Sequence, residues 1–234
     1  MEERRDQVQP PREVTVSHRL LIWLTWGTAG TLLFPIVYVI EGLRRPEYDS
    51  LRQAISALSL GPGGWVQQIN FAICGVSVLW SAYAWRRILA GGVCATSYPI
   101  VRAAEGFGLV MIGIFSQDPA YGYPPGSAPG ATSPTSAGMV HLAFTIVVVN
   151  AMCLGLLVIA RRFGGSQSWR GWTTYSILSA ALTMVFMTFF GIAQNTHTTL
   201  SGYAGLFERL ATNTDTVWSV VIVTRLWIRR PLGI

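Results

Sequence analysis

The sequence predicts an all-α, polytopic membrane helix bundle of six transmembrane helices with a short external amphipathic helix. Three observations predict it. About half of the 234 residues (51%) are hydrophobic and only 12% are charged, against roughly a quarter charged in ordinary soluble domains. The apolar residues fall into six runs near the roughly 20 residues that cross a hydrocarbon core. The basic residues lie between those runs. Backbone groups in lipid must pair within their own segment, which selects helices, and the alternating pattern of a barrel strand is absent.

In chain order, residues 1–18 form a polar cytoplasmic tail containing Pro10 and Pro11. It lacks the apolar core and small-residue cleavage site of a signal peptide, so the first run is expected to be a retained span. Residues 19–230 form the transmembrane domain and 231–234 a cytoplasmic C-terminal tail. The spans are expected at Leu20–Ile40, Trp65–Trp85, Ile100–Phe115, His141–Ala160, Trp172–Ala193 and Gly205–Trp227. After the first span, Ser50-Leu-Arg-Gln53 has the form of a capping box, followed by Leu51, Ile55 and Leu58 at helical spacing. This segment reads as an amphipathic helix on the outer membrane surface, ended by Gly61-Pro-Gly-Gly64. The connection from Gln117 to Gly138, rich in Pro, Gly, Ser and Thr, reads as a long external loop or lid.

All 17 basic residues are Arg. Arg4, Arg5, Arg12 and Arg19 precede span one, Arg86, Arg87 and Arg102 lie between two and three, Arg161, Arg162 and Arg170 between four and five, and Arg225, Arg229 and Arg230 close span six. With six spans these groups share one side, and the positive-inside rule puts both termini in the cytoplasm. Arg44 and Arg45 oppose this, and a five-span chain would move the C-terminus. The tryptophans suit interfacial anchors, with Trp218 deeper and packed.

Polar residues enter the spans from the outer side. Gln67, Gln68 and Asn70 open span two, Asp118 follows span three, and His141 opens span four. In span six Glu208, Thr212, Asp215 and Ser219, spaced four, three and four residues apart, form one helical stripe. Asp215 sits roughly 15 Å along its helix. An ionisable group at that depth must face protein or water. A polar cavity open to the outer face is therefore expected, lined by Asp118, His141, Glu208, Arg209 and Asp215 and roofed by Asp49, Arg52 and Gln53. Simpler roles compete. Glu208 and Arg209 could be a helix-start acid and a snorkelling cation, His141 an interfacial group, Asp118-Pro119 a turn and Asp215 an interhelical hydrogen-bond partner. Glu105, three residues from Arg102, fits a local ion pair near the cytoplasmic end, and His197 a solvated loop residue.

Several chemistries are disfavoured. Without Lys no retinal Schiff base forms. Three His residues are too few for several haems. Zinc, Walker and nucleophile-elbow motifs are absent, and Cys74, Cys94 and Cys153 have no CxxC spacing. No metal or other cofactor is expected. Nucleic-acid binding fits poorly, because the arginines do not share one soluble face.

The stretch Tyr48-Asp-Ser-Leu-Arg-Gln-Ala-Ile-Ser-Ala-Leu-Ser-Leu60 with Gly64-Trp65, then Gly113-Ile-Phe-Ser-Gln-Asp-Pro119, Gly138-Met-Val-His141 and Gly205-Leu-Phe-Glu-Arg209, resembles the membrane family catalogued as domain of unknown function 998. The resemblance spans roughly Leu20 to Trp227 and implies a six-helix bacterial membrane protein, without an assigned chemistry. Three functional readings stand. One is a protein whose outward-facing cavity binds a lipid or small polar ligand. Another is a lipid head-group enzyme with His141, Asp118 and Asp215 as catalytic candidates and Arg209 holding an anion. The last is a proton-coupled carrier protonated at Asp215. The partners expected are the bilayer and such a ligand.

Overall fold

The computed structural model describes residues 14–128, 133–195, 197–228 and 231–232. Arg4, Arg5, Arg12, Arg229 and Arg230, used above for orientation, lie outside them. Among the described residues are six α-helices: α1 His18–Arg44, α2 Trp65–Ile88, α3 Ser97–Ile114, α4 Ser136–Gly164, α5 Arg170–Ala193 and α6 Ala204–Ile228. Each covers all or nearly all of an expected apolar run, and most extend beyond it, because polar flanks continue the helices. Ser17 accepts from the Leu20 N–H at the start of α1, and Thr135 from the Gly138 N–H at the start of α4. Arg86 and Arg87 end α2, and Arg161 and Arg162 end α4, where cations suit the helix dipole. By length and composition α1, α4 and α5 can cross a membrane. The other three carry the polar residues noted above, which lower their hydropathy.

Each helix packs against its neighbours in sequence and α6 returns to α1, so the six close into a ring with α3 and α6 on opposite sides. Short strands β1 (Val14–Thr15) and β2 (Pro231–Leu232) pair antiparallel, which brings Val14 and Leu232 together at one end of the ring, the terminal end. The opposite, loop end carries the connections 45–64, 115–135 and 194–203.

Small residues make the seams. A Cβ on Gly75 of α2 would lie 2.5 Å from the Gly106 carbonyl of α3, and one on Gly106 2.7 Å from the Gly75 carbonyl. Gly27 of α1 meets Ser81 and the Ser77 carbonyl of α2 in the same way. Backbones that approach this closely gain dispersion contact, the main force joining helices in lipid. Inside the ring two apolar clusters form. Leu24, Trp85, Tyr98, Ile159, Trp218 and Ile222 belong to the terminal-end cluster, and Phe34, Tyr38, Leu58, Phe71 and Met152 to the loop-end cluster. A buried layer of Arg102, Glu105, Asp215 and Ser219 accompanies them.

The external amphipathic helix expected over Ser50–Leu58 does not form. Asp49, one residue before the expected cap, starts a single turn. Its carboxylate accepts from the Leu51 N–H at 2.9 Å, and the Gln53 carboxamide accepts from the Asp49 N–H at 2.8 Å. The chain then turns inward as a short 3-10 helix, Ile55–Ser59, with every residue buried. This segment carries no charge and its side chains are mostly small, so each face can be covered by α1, α2 and α6. Left-handed Gly61 and Gly63, at φ +69° and +80°, then reverse the chain into α2. What looked like a surface helix is a plug in the loop end of the ring.

The α2–α3 seam predicts that Gly106→Val lowers stability by about 1–3 kcal/mol through overpacking. Gly191→Ala, whose Cβ meets open space, should leave stability unchanged or slightly raised. Thermal unfolding of both variants in detergent checks this.

Candidate functional site

Two adjoining cavities lie within the loop-end half of the ring. The first, of about 310 Å³, is lined by Gln53, Gln117, Asp118, Tyr121 and Gln194 from the loops and by Phe190 of α5. The second, of about 80 Å³, is walled by Phe34, Phe71, Leu109, Met152 and Met187 and reaches the carboxylates Glu105 and Asp215. Ser56 of the plug, His141 and Thr145 of α4, and Glu208 of α6 line both. The two cavities thus lie between the loop end and the middle of α6, with mostly apolar walls and a few polar groups at their shared border.

The plug is held to α6 by reciprocal polar contacts. The first turn of α6 has N–H groups without intrahelical partners, and Gly205 and Leu206 donate theirs to the Arg52 and Leu51 carbonyls at 3.2 and 2.9 Å. Gly205 is required there, because a Cβ would run into the Ser50 and Gln53 carbonyls. Arg209 gathers the Ser50, Gln53 and Gly205 carbonyls at 2.7, 3.1 and 2.8 Å and donates to the Tyr48 hydroxyl at 2.5 Å. Tyr48 in turn donates toward the Ala54 carbonyl at 2.9 Å. Burial raises the Tyr48 phenol above its ordinary pKa, with the neighbouring Arg209 opposing that rise, so Tyr48 stays a neutral donor. Glu208 completes the clamp by accepting the Ile55 N–H at 2.6 Å.

A second junction joins α3 to α4. Asp118 accepts from the Thr135 N–H at 3.0 Å and the Thr135 hydroxyl at 2.6 Å, and Gly138 leaves room for that carboxylate. His141 places Nδ1 2.7 Å from the Phe115 carbonyl. A carbonyl only accepts, so Nδ1 carries the proton and Nε2 is left as an acceptor. The Ser56 hydroxyl donates to the Gln117 side chain at 2.5 Å, joining plug and loop.

At the bottom of the inner cavity one guanidinium spans the ring. Arg102 NH1 of α3 donates to Glu105 Oε2 at 2.8 Å and to both Asp215 oxygens, on α6, at 3.1 and 3.0 Å. All three side chains are at least nine-tenths buried.

The predicted residues therefore separate. Glu208, His141, Asp118 and Gln53 line the outer cavity, and Glu208, His141 and Asp215 the inner one. Arg209 lines neither, and its guanidinium is engaged by the plug. Asp215 pairs with Arg102 and not with Arg209. Asp49 serves the turn, Arg52 stacks over Tyr121 with 5.4 Å to the ring centroid, and His197 is exposed. The local Arg102–Glu105 pair exists, yet it belongs to the mid-ring triad and not to an isolated helix end. Ser56, Gln117, Thr145 and Thr31 also line the cavities; Ser56 and Gln117 lie within the motifs that carry the family resemblance, whereas Thr31 and Thr145 carried no signal in the sequence. Arg102 and Glu105 did carry one, since ionisable residues inside an apolar run point to a site by default.

The triad predicts a non-additive response. Arg102→Met leaves two buried carboxylates without a cation and should cost about 3–5 kcal/mol. Adding Asp215→Asn should recover a substantial part, as read by thermal unfolding of the single and double variants.

No curated protein and no solved structure matches the chain. The family described as protein of unknown function (DUF998) matches residues 28–225, a stretch that includes the plug, both junctions and the triad. The chain belongs to that family.

Proposed function

We propose that this is a six-span integral protein of a bacterial cell membrane whose outward-facing cavity binds a small polar ligand or the polar head of a lipid. The observation that carries this reading is the pair of adjoining cavities that share Ser56, His141, Thr145 and Glu208 in their lining. Their polar lining offers acceptors at Glu208 and at His141 Nε2, whereas the Gln117 side-chain oxygen already accepts from Ser56. The suitable ligand is a donor, such as a hydroxyl- or amine-bearing group. Leu142, Phe190 and Gly191 of α4 and α5 wall the larger cavity, which suits lateral entry of an apolar tail.

Six spans are supported by the outward faces of the more polar helices. Ile69, Ile73, Val76, Trp80 and Tyr83 of α2, Ile100, Phe107 and Ile114 of α3, and Leu210, Val217 and Val221 of α6 are exposed along single helical stripes. Even the 18 residues of α3 extend about 27 Å at 1.5 Å per residue, close to the hydrocarbon thickness. The arginine distribution supports a cytoplasmic terminal end and an external plug.

Two measurements test this reading. Native mass spectrometry of the protein in mild detergent should retain a discrete small molecule or lipid in wild type and lose it in folded Glu208→Gln. A wild type without any retained species, or equal retention in the variant, would remove the binding reading. For topology, a membrane-impermeant maleimide applied to intact cells should label Ser127→Cys and spare Cys94, which becomes reactive after lysis. The reverse pattern would invert the orientation.

A further inference from the structure

The triad at mid-ring combines two carboxylates with one cation. With all three groups ionised it carries a net negative charge at a depth where solvent cannot compensate it. The groups coupled to it from the surrounding helices are Tyr98 on α3, Cys74 on α2 and Cys153 on α4. None of these is a cation in any protonation state, and the described residues of α1 and α5 add no charged group to either cavity beside the triad.

We propose that Glu105 binds one exchangeable proton at the middle of the membrane, taken up through the loop-end cavity. The hydrogen bonds select Glu105 over Asp215. Both Asp215 oxygens face Arg102 NH1, and they hold α6 to α3 across the ring. Protonating Asp215 would weaken that cross-ring pair. Glu105 gives only Oε2 to Arg102, so a proton on its other oxygen leaves the Arg102 contacts in place.

The access route is one-sided. Glu105 and Asp215 line the inner cavity, which adjoins the larger one at His141 and Glu208. Beyond the triad lies a third cavity of about 10 Å³, lined by Arg102, Thr28, Thr31, Ser81 and Ser219, room for about one water. Arg102 Nε, deeply buried, has no hydrogen-bond partner among the described residues. A guanidinium stays protonated throughout the working pH range, so Arg102 places a fixed positive charge against the third cavity, beside Glu105. The proton exchanges with the loop end and is barred from the terminal end. This inference does not depend on what the larger cavity binds.

Infrared spectroscopy of the protein reconstituted in lipid tests it. Wild type at neutral pH should show a protonated-carboxyl C=O band that shifts in heavy water and disappears as the pH is raised. Glu105→Gln should abolish the band, whereas Glu208→Gln should leave it. Should Glu105→Gln fail to fold, labelled wild type decides. Isotope-labelled glutamate must displace the band and labelled aspartate must not. Absence of the band in wild type, its displacement by labelled aspartate, its loss in Glu208→Gln, or its survival in folded Glu105→Gln would each overturn the proposal.

Discussion

The Arg102 guanidinium is the constraint around which the rest of the ring is arranged. Helices associate in sequence around the ring through small-residue seams, but α3 and α6 face each other across it and need a tie of their own. Arg102 supplies that tie by reaching Asp215 while retaining Glu105 on its own helix. A buried ion pair often contributes little net stability over an apolar replacement, yet removing one partner is costly because a charge is left uncompensated. Such a pair therefore specifies which helices oppose each other more than it strengthens the fold.

The plug follows the same logic at the loop end. A chain that enters the bundle there brings backbone carbonyls and N–H groups away from water, and every one needs a partner. The first turn of α6 needs acceptors. Leu51 and Arg52 supply carbonyls to Gly205 and Leu206, Arg209 collects the Ser50 and Gln53 carbonyls, and Glu208 takes the Ile55 N–H. Two segments about 150 residues apart in sequence solve each other's hydrogen-bond deficits. The short motifs around Tyr48–Leu60 and Gly205–Arg209 have a structural reason in this clamp, and Asp118 with Gly138 has a similar one at the start of α4.

Much of this was legible along the chain. The six helices lie where the apolar runs are, Trp218 is buried and hydrogen-bonded to Ser176, and Glu208, His141 and Asp215 do meet one cavity. Each of these rests on a local signal, either hydropathy over one segment or an ionisable group at a depth that lipid does not permit. The failures were of another kind. Ser50-Leu-Arg-Gln53 had the form of a helix start, but Asp49 and Gln53 close a single turn and the following residues dive inward. Arg209 looked like an anion-binding group and instead serves carbonyls of the plug.

From the sequence alone came the solvent of the protein, the number of helices and the depth of Asp215, because hydropathy and the 1.5 Å rise belong to single segments. Only the tertiary structure decided who partners whom. Two cations, Arg102 and Arg209, reach several acceptors each, and nothing in their spacing ranks those choices. The ranking comes from closure of the ring, which sets Arg102 opposite Asp215 and delivers the plug carbonyls to Arg209. Charge and hydrogen-bond satisfaction are properties of the enclosed space, and that space exists only once all six helices surround it.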